Sequence, residues 1–79
     1  MKFDDAAATW NKRFEAERYI FGTAPNEYLQ GVAHHLAPAG RVLCVADGEG
    51  RNSVWLARRG HRVDAFDIAE LGVRKARNL

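Results

Sequence analysis

The hydrophobic pattern of the chain changes at Arg41, and the predicted secondary structure changes with it. Upstream, apolar residues recur every three or four positions, first in a stripe that ends at Phe14 and then between Leu29 and Leu36. This spacing predicts two amphipathic helices, the second with Pro25 in its first turn. Downstream, residues 42–46 form a continuous apolar run, which is typical of a strand buried on both faces.

A loop with two glycines, residues 47–50, joins this strand to a helix predicted over residues 51–59 and ended by Gly60. A second strand from His61 to Asp67 and a final helix follow. Two strands joined through a helix by short turns form the unit of a parallel sheet with a right-handed crossover. The predicted fold class is therefore α/β. The final helix places its basic residues on the predicted solvent side: Arg74, Lys75 and Arg77.

The length of 79 residues sets a ceiling of one domain. We divide this domain into a helical lead-in, residues 1–40, and a β–α–β–α unit, residues 41–79. Two parallel strands do not make a stable sheet alone, because both edges stay open. We therefore expect the chain to be the N-terminal part of a larger domain, or to complete its sheet by pairing with other chains.

The charge balance and the cysteine content argue against several classes of function. Twelve Lys and Arg against 10 Asp and Glu leave a net charge of +2, whereas nucleic acid binding needs a concentrated basic face. No apolar run approaches the roughly 20 residues that span a membrane, and the polar N-terminus is not typical of a secretion signal. We predict a cytoplasmic protein with neither a nucleic acid nor a membrane partner. The single cysteine, Cys44, predicts neither an internal disulfide nor a metal site.

Two glycines and one acid predict a nucleoside site at the carboxyl ends of the strands. Gly48 and Gly50 lie after the first strand, where missing side chains let a ligand approach the backbone. Asp67 ends the second strand 17 residues after Gly50, close to the spacing of roughly 20 residues at which an acid grips a ribose. Two simpler interpretations stay open. The glycines form only a tight turn, or Asp67 caps the last helix in a capping box with Glu70.

The composition of the loop favours S-adenosylmethionine (SAM) over NAD as the ligand. A dinucleotide site has a third glycine, and Ser53 stands at that position. The carboxylates of Asp47 and Glu49 would repel a pyrophosphate, but they can face the sulfonium and ammonium groups of SAM. An NAD-dependent oxidoreductase is therefore the less favoured enzyme hypothesis.

The pattern extends beyond the loop to four segments, namely residues 42–52, Trp55-Leu56-Ala57, Gly60-His61 and residues 63–67. Together they resemble the first two motifs of class I SAM-dependent methyltransferases, in particular the small-molecule branch with tellurite-resistance and thiopurine-type enzymes. The helical lead-in of that branch is similar to Trp10, Phe21-Gly22, Pro25-Asn26 and Leu29. The resemblance implies a Rossmann-like parallel sheet and direct transfer of a methyl group from SAM to a small-molecule acceptor. It also implies acceptor-binding residues that lie mostly after a fourth strand.

The resemblance further implies which residues bind SAM. Asp67 falls on the acid that holds the ribose, and Ile68 on the apolar residue near the adenine. The predicted cofactor-binding residues are Ala46, Asp47, Gly48, Glu49, Gly50, Arg51, Asn52, Asp67 and Ile68. No catalytic residue is predicted, because in-line displacement relies on positioning and needs no dedicated base.

Cys44 departs from the pattern, because many members carry Asp or Glu in the middle of this strand. We expect Asp47 or Glu49 to hold the amino group of SAM instead. The aromatic residues of the lead-in are most simply core residues of a helix, and the alternative is that Trp10 or Tyr19 forms a lid over the cofactor.

A hypothesis from another class is a non-catalytic nucleotide-binding module. Such a module would use the open edge of its sheet to pair with a partner or with itself. The short length motivates it, because no acceptor site is visible in the sequence.

Overall fold

The computed structural model describes residues 3–79, with side chains from Asp5 onward, and residues 1–2 of the predicted lead-in lie outside the described part. The elements follow the predicted order of two helices, a strand, a helix, a strand and a helix. They are α1 (Phe3–Phe14), α2 (Glu27–Val32) continued by a 3-10 turn (Ala33–His35), β1 (Arg41–Val45), α3 (Arg51–Arg58), β2 (Arg62–Phe66) and α4 (Glu70–Asn78).

The two strands pair in parallel, in a register that runs from Arg41 beside Arg62 to Val45 beside Phe66. The helix α3 crosses between them and packs on β2. It ends where predicted, because Gly60 adopts a φ of +95° and donates its N–H to the carbonyl oxygen of Ala57 over 3.0 Å. The predicted α/β class with a Rossmann-like β–α–β unit is therefore confirmed.

The helix α2 begins later than the position of Pro25 suggests. The side chain of Asn26 accepts hydrogen bonds from the N–H groups of Tyr28 (2.8 Å) and Leu29 (3.2 Å), which makes Asn26 the N-cap. Pro25 thus precedes the helix instead of occupying its first turn. Capping by a side chain, and not the fixed φ of proline, sets the start of α2.

The expectation that β1 is buried on both faces is wrong for the described chain. Val42 and Cys44 are half-buried, whereas Leu43 and Val45 on the other face are 62% and 63% exposed, and Phe66 of β2 is 54% exposed. The burial alternates because α3 packs on the sheet from one side and side chains of a strand point alternately to its two faces.

The helix α1 packs against α4, and α3 packs against β2. The buried apolar residues come from several elements and are Phe14, Ala33, Leu56 and Ala69. Within residues 3–79, no helix has the length and the apolar character needed to cross a membrane.

Candidate functional site

A cavity of about 460 Å³ opens at the carboxyl ends of the two strands. Its size falls within the range of roughly 300–1,000 Å³ that is usual for small-molecule sites. Loops that follow parallel strands meet at this edge of a sheet, which is where open α/β folds bind ligands. The residues around the cavity are Trp10, Phe14, Phe21, Gly22, Val45, Ala46, Asp47, Gly48, Glu49, Arg51, Asn52, Phe66, Asp67 and Ile68.

The loop after β1 turns sharply because three of its residues adopt positive φ. Ala46, Gly48 and Gly50 have φ angles of +52°, +61° and +89°, a region that costs a residue with a side chain more than it costs glycine. The N–H of Asp47 still donates to the carbonyl oxygen of Phe66 over 3.1 Å. The backbone therefore stays hydrogen-bonded to β2 up to two residues after β1, and the loop then leads directly into α3.

Asp67 ties the two loops at this edge together. Its carboxylate accepts a hydrogen bond from the N–H of Gly48 and another from the N–H of Ala69, both over 2.8 Å. The capping-box alternative is wrong, since α4 begins at Glu70 with Ala69 as its N-cap and no side-chain cap. A carboxylate has about four lone-pair positions, so two of them remain for hydroxyl groups of a ligand.

The carboxylates of Asp47 and Glu49 are both engaged within the protein. Asp47 accepts hydrogen bonds from the N–H (3.3 Å) and the hydroxyl of Ser53. Glu49 accepts one from the N–H of Ile20 over 2.7 Å and forms an ion pair with Lys75 while its side chain is only 3% exposed. These contacts neutralise Glu49, whereas Asp47 borders the cavity and, like Asp67, keeps lone-pair positions after accepting two hydrogen bonds. The expectation that Asp47 or Glu49 holds an ammonium group therefore stays a prediction.

Lys75 is half-buried beneath the segment that follows α1 and does not face solvent as predicted. Its ammonium group pairs with Glu49 and donates to the carbonyl oxygens of Phe14 (3.3 Å), Ala16 (2.6 Å) and Arg18 (2.7 Å). The hydroxyl of Tyr19 donates to the carbonyl oxygen of Lys75 over 2.6 Å, so Tyr19 faces α4 and is not a lid over the cavity. One lysine of α4 thus positions the segment that follows α1.

Eight of the nine predicted cofactor-binding residues surround the cavity, and Gly50 does not. Gly50 is buried, and a Cβ at this position would lie 2.5 Å from the Cβ of Ala76 and 2.9 Å from its Cα. Gly50 therefore serves the close approach of α4 to the loop, which is the role usually given to the third glycine of a dinucleotide motif.

The sequence interpretation missed most of the aromatic wall of the cavity. Trp10 stacks on Phe14 with ring centroids 5.7 Å apart and lies 6.3 Å from the ring of Phe21. The spacing of Trp10 and Phe14 predicted only a core-facing stripe of α1. Phe14 is indeed in the core, and the same stripe also borders the cavity. The lid alternative for Trp10 is compatible with this position.

The thiol of Cys44 is not set up as a nucleophile. Burial raises its pKa, and the nearby carboxylate of Asp47 raises it further. A thiol with a raised pKa stays protonated at neutral pH, and the thiolate is the reactive form. Cys44 therefore acts as a small apolar residue of β1.

Gly72 is a second glycine that the packing of α4 requires. A Cβ at Gly72 would lie 2.6 Å from the carbonyl oxygen of Gly48 and 3.0 Å from a ring carbon of Phe14. We expect Gly72→Ala to lower the free energy of unfolding by about 1–3 kcal/mol through overpacking. Gly31→Ala is the matched control, because Gly31 is also helical but has open space around it, and it should raise stability by about 0.5–1 kcal/mol. Urea denaturation measures the free energy of unfolding of both variants. A change in the same direction in both would contradict the packing role of Gly72.

The chain was compared with known protein families. The sequence model of the thiopurine S-methyltransferase family matches residues 5–78, which is nearly the whole chain. The chain belongs to the thiopurine S-methyltransferase family. No curated protein and no solved structure matches it. This is a family of class I SAM-dependent methyltransferases, so the resemblance found in the sequence is confirmed.

The residues around the cavity of this thiopurine S-methyltransferase family member fit SAM. Trp10, Phe21, Phe66 and Ile68 offer apolar surface of the kind that an adenine ring packs against. Asp67 keeps free lone-pair positions for the two ribose hydroxyls. A side chain at Gly48 would require a strained backbone, because its φ is +61°.

Proposed function

We propose that the cavity binds SAM and that the chain supplies the cofactor site of a methyltransferase that acts on a small-molecule acceptor. The observation that supports this most directly is the position of Asp67. Its carboxylate borders the cavity and is held at the glycine loop by the N–H of Gly48. Membership of a SAM-dependent methyltransferase family supports the same ligand.

When bound, SAM supplies a methyl group activated by its sulfonium, and the chain contributes binding and orientation. Asp67 accepts hydrogen bonds from the ribose hydroxyls, and Ile68 packs beside the adenine. The aromatic side chains of Trp10 and Phe21 border one side of the cavity and offer it an apolar wall. These roles match a reaction in which the protein accelerates transfer chiefly by positioning donor and acceptor.

Calorimetry with two ligands decides between the enzyme hypotheses. S-adenosylhomocysteine (SAH) has the same adenosine and amino acid portions as SAM, and NADH carries a pyrophosphate that the carboxylate of Asp47 disfavours. Titration of the purified protein should give heat with SAH and none with NADH. Binding of NADH without binding of SAH would replace the proposal with the oxidoreductase hypothesis.

Replacing Asp67 with Ala should weaken SAH binding by about 5- to 100-fold, the effect of losing hydrogen bonds to a charged group. The matched control is Asp64→Ala on the same strand. The side chain of Asp64 is 78% exposed and forms an ion pair with Arg41 at 3.9 Å. Calorimetry on both variants measures the difference.

The Asp67 variant also loses the hydrogen bonds to Gly48 and Ala69, so its folding is checked by circular dichroism before titration. A folded Asp67→Ala protein that binds SAH as tightly as Asp64→Ala does would assign Asp67 a purely structural role.

The non-catalytic, self-associating module stays a prediction. Within the described chain each strand has one neighbour, so each leaves one edge without a strand beside it. Size-exclusion chromatography with light scattering tests this hypothesis, since a stable monomer of 8.9 kDa contradicts obligatory pairing.

A further inference from the structure

We infer that Arg51 binds the carboxylate of the methionine portion of SAM and is a specificity-determining residue of the cavity. This inference rests on the proposed function, because it assigns a role within the same site. It follows from the charges around the cavity and from the partners that each charged group already has.

The acidic groups at the cavity already have partners. Asp47 is bound by Ser53, and Glu49 is paired with Lys75. Asp67 accepts two backbone hydrogen bonds. Among the described residues around the cavity, Arg51 is the only basic one.

The guanidinium of Arg51 has no carboxylate partner among the side chains described from Asp5 onward. Its Cζ atom lies 5.8 Å from the centroid of the Phe21 ring, and the residue is half-buried at the first position of α3. A cation–π contact at this distance leaves the donor groups of the guanidinium unused. A half-buried cation without a partner, at the border of a ligand cavity, is complementary to an anionic group of the ligand.

SAM has one negatively charged group at neutral pH, its carboxylate. Arginine suits this group because its planar guanidinium can donate two parallel hydrogen bonds to the two carboxylate oxygens. Phe21 supports the geometry, since its ring lies under the guanidinium and also borders the cavity. The carboxylate would thus lie at the start of α3, on the side of the cavity next to the lead-in.

The test compares SAH with its decarboxylated analogue, which keeps the adenosine, the thioether and the amino group. Calorimetry is done on the unmodified protein and on Arg51→Gln and Arg51→Lys. Arg51→Gln should weaken SAH binding by about 10- to 100-fold, the effect of losing charged hydrogen bonds. It should change the affinity for the decarboxylated analogue by less than about twofold, and Arg51→Lys should retain part of the affinity for SAH because it keeps the charge.

The matched control is Arg59→Gln, because the guanidinium of Arg59 also lies over an aromatic ring, 4.6 Å from the centroid of Trp55. Arg59 is exposed and is not among the cavity residues, so this variant should bind both ligands normally. Equal weakening of SAH and the analogue by Arg51→Gln would overturn the inference.

The unmodified protein alone also tests the inference, which stays falsifiable if Arg51→Gln does not fold. Equal affinity for SAH and for the decarboxylated analogue would overturn the role of Arg51 while leaving the proposed function intact. Binding of neither ligand would overturn the proposed function and, with it, the role of Arg51. The inference would be supported if the unmodified protein bound SAH more tightly than the decarboxylated analogue and Arg51→Lys made this difference in affinity smaller.

Discussion

Replacing Lys75 with Met is expected to lower the free energy of unfolding by about 3–5 kcal/mol, because it leaves the buried carboxylate of Glu49 without its counter-ion. The side chains of Lys75 and Glu49 are only 15% and 3% exposed, so solvent compensates the carboxylate poorly when the ammonium group is missing. The same change removes the hydrogen bonds to the carbonyl oxygens of Phe14, Ala16 and Arg18. A loss of this size approaches the whole stability of a small domain, and urea denaturation followed by circular dichroism measures it.

The matched control is Lys12→Met, because Lys12 is an exposed lysine of α1 and its loss should change stability by less than about 0.5 kcal/mol. The double variant Glu49→Gln/Lys75→Met removes both charges. We expect it to be more stable than Lys75→Met alone, because an uncharged amide is less costly to bury than an unpaired carboxylate. If Lys75→Met were no more destabilised than Lys12→Met, the ion pair would have no structural role.

Replacing Gly50 with Ala should lower the free energy of unfolding by about 2–5 kcal/mol, from two separate costs. The backbone strain of a side chain at φ +89° amounts to about 1–2 kcal/mol. The collision of the new Cβ with Ala76, at 2.5 Å, adds about 1–3 kcal/mol of overpacking. Thermal and urea unfolding measure the sum.

Gly60→Ala separates the two costs. Gly60 has a similar φ of +95°, but no atom lies within 4 Å of the position of its Cβ, so only the backbone cost applies. Gly50→Ala/Ala76→Gly is the complementary variant, since it removes the colliding methyl group from α4 and should recover part of the lost stability. Equal destabilisation by Gly50→Ala and Gly60→Ala would show that α4 shifts to make room for the extra methyl group with little loss of stability.

The elements and the loop at the candidate site follow from local features of the sequence. The change of hydrophobic period at Arg41 predicted the parallel β–α–β unit, and Gly60 marked the end of α3. Gly48 and Asp67, though 19 residues apart, were placed at one edge because the carboxyl ends of parallel strands meet there. The structure brings them to 2.8 Å. These features could be predicted from the sequence because each depends on the backbone conformation of a few neighbouring residues.

The partners of individual side chains were decided only by tertiary packing. Lys75 follows the helical pattern of a solvent-facing residue, yet it pairs with Glu49 because the segment after α1 folds over α4. Gly50 was predicted to bind the cofactor. In the structure its missing side chain leaves room for Ala76 of α4, a helix that begins 20 residues later.

The sequence alone determined the order of the elements, the loop and the acid, since periodicity and glycine conformation act over a few residues. It did not determine which charges neutralise each other. The pairing of charges depends on which elements meet in space. The same holds for the assignment of Arg51, which borders the cavity and has no carboxylate partner in the described part of the chain.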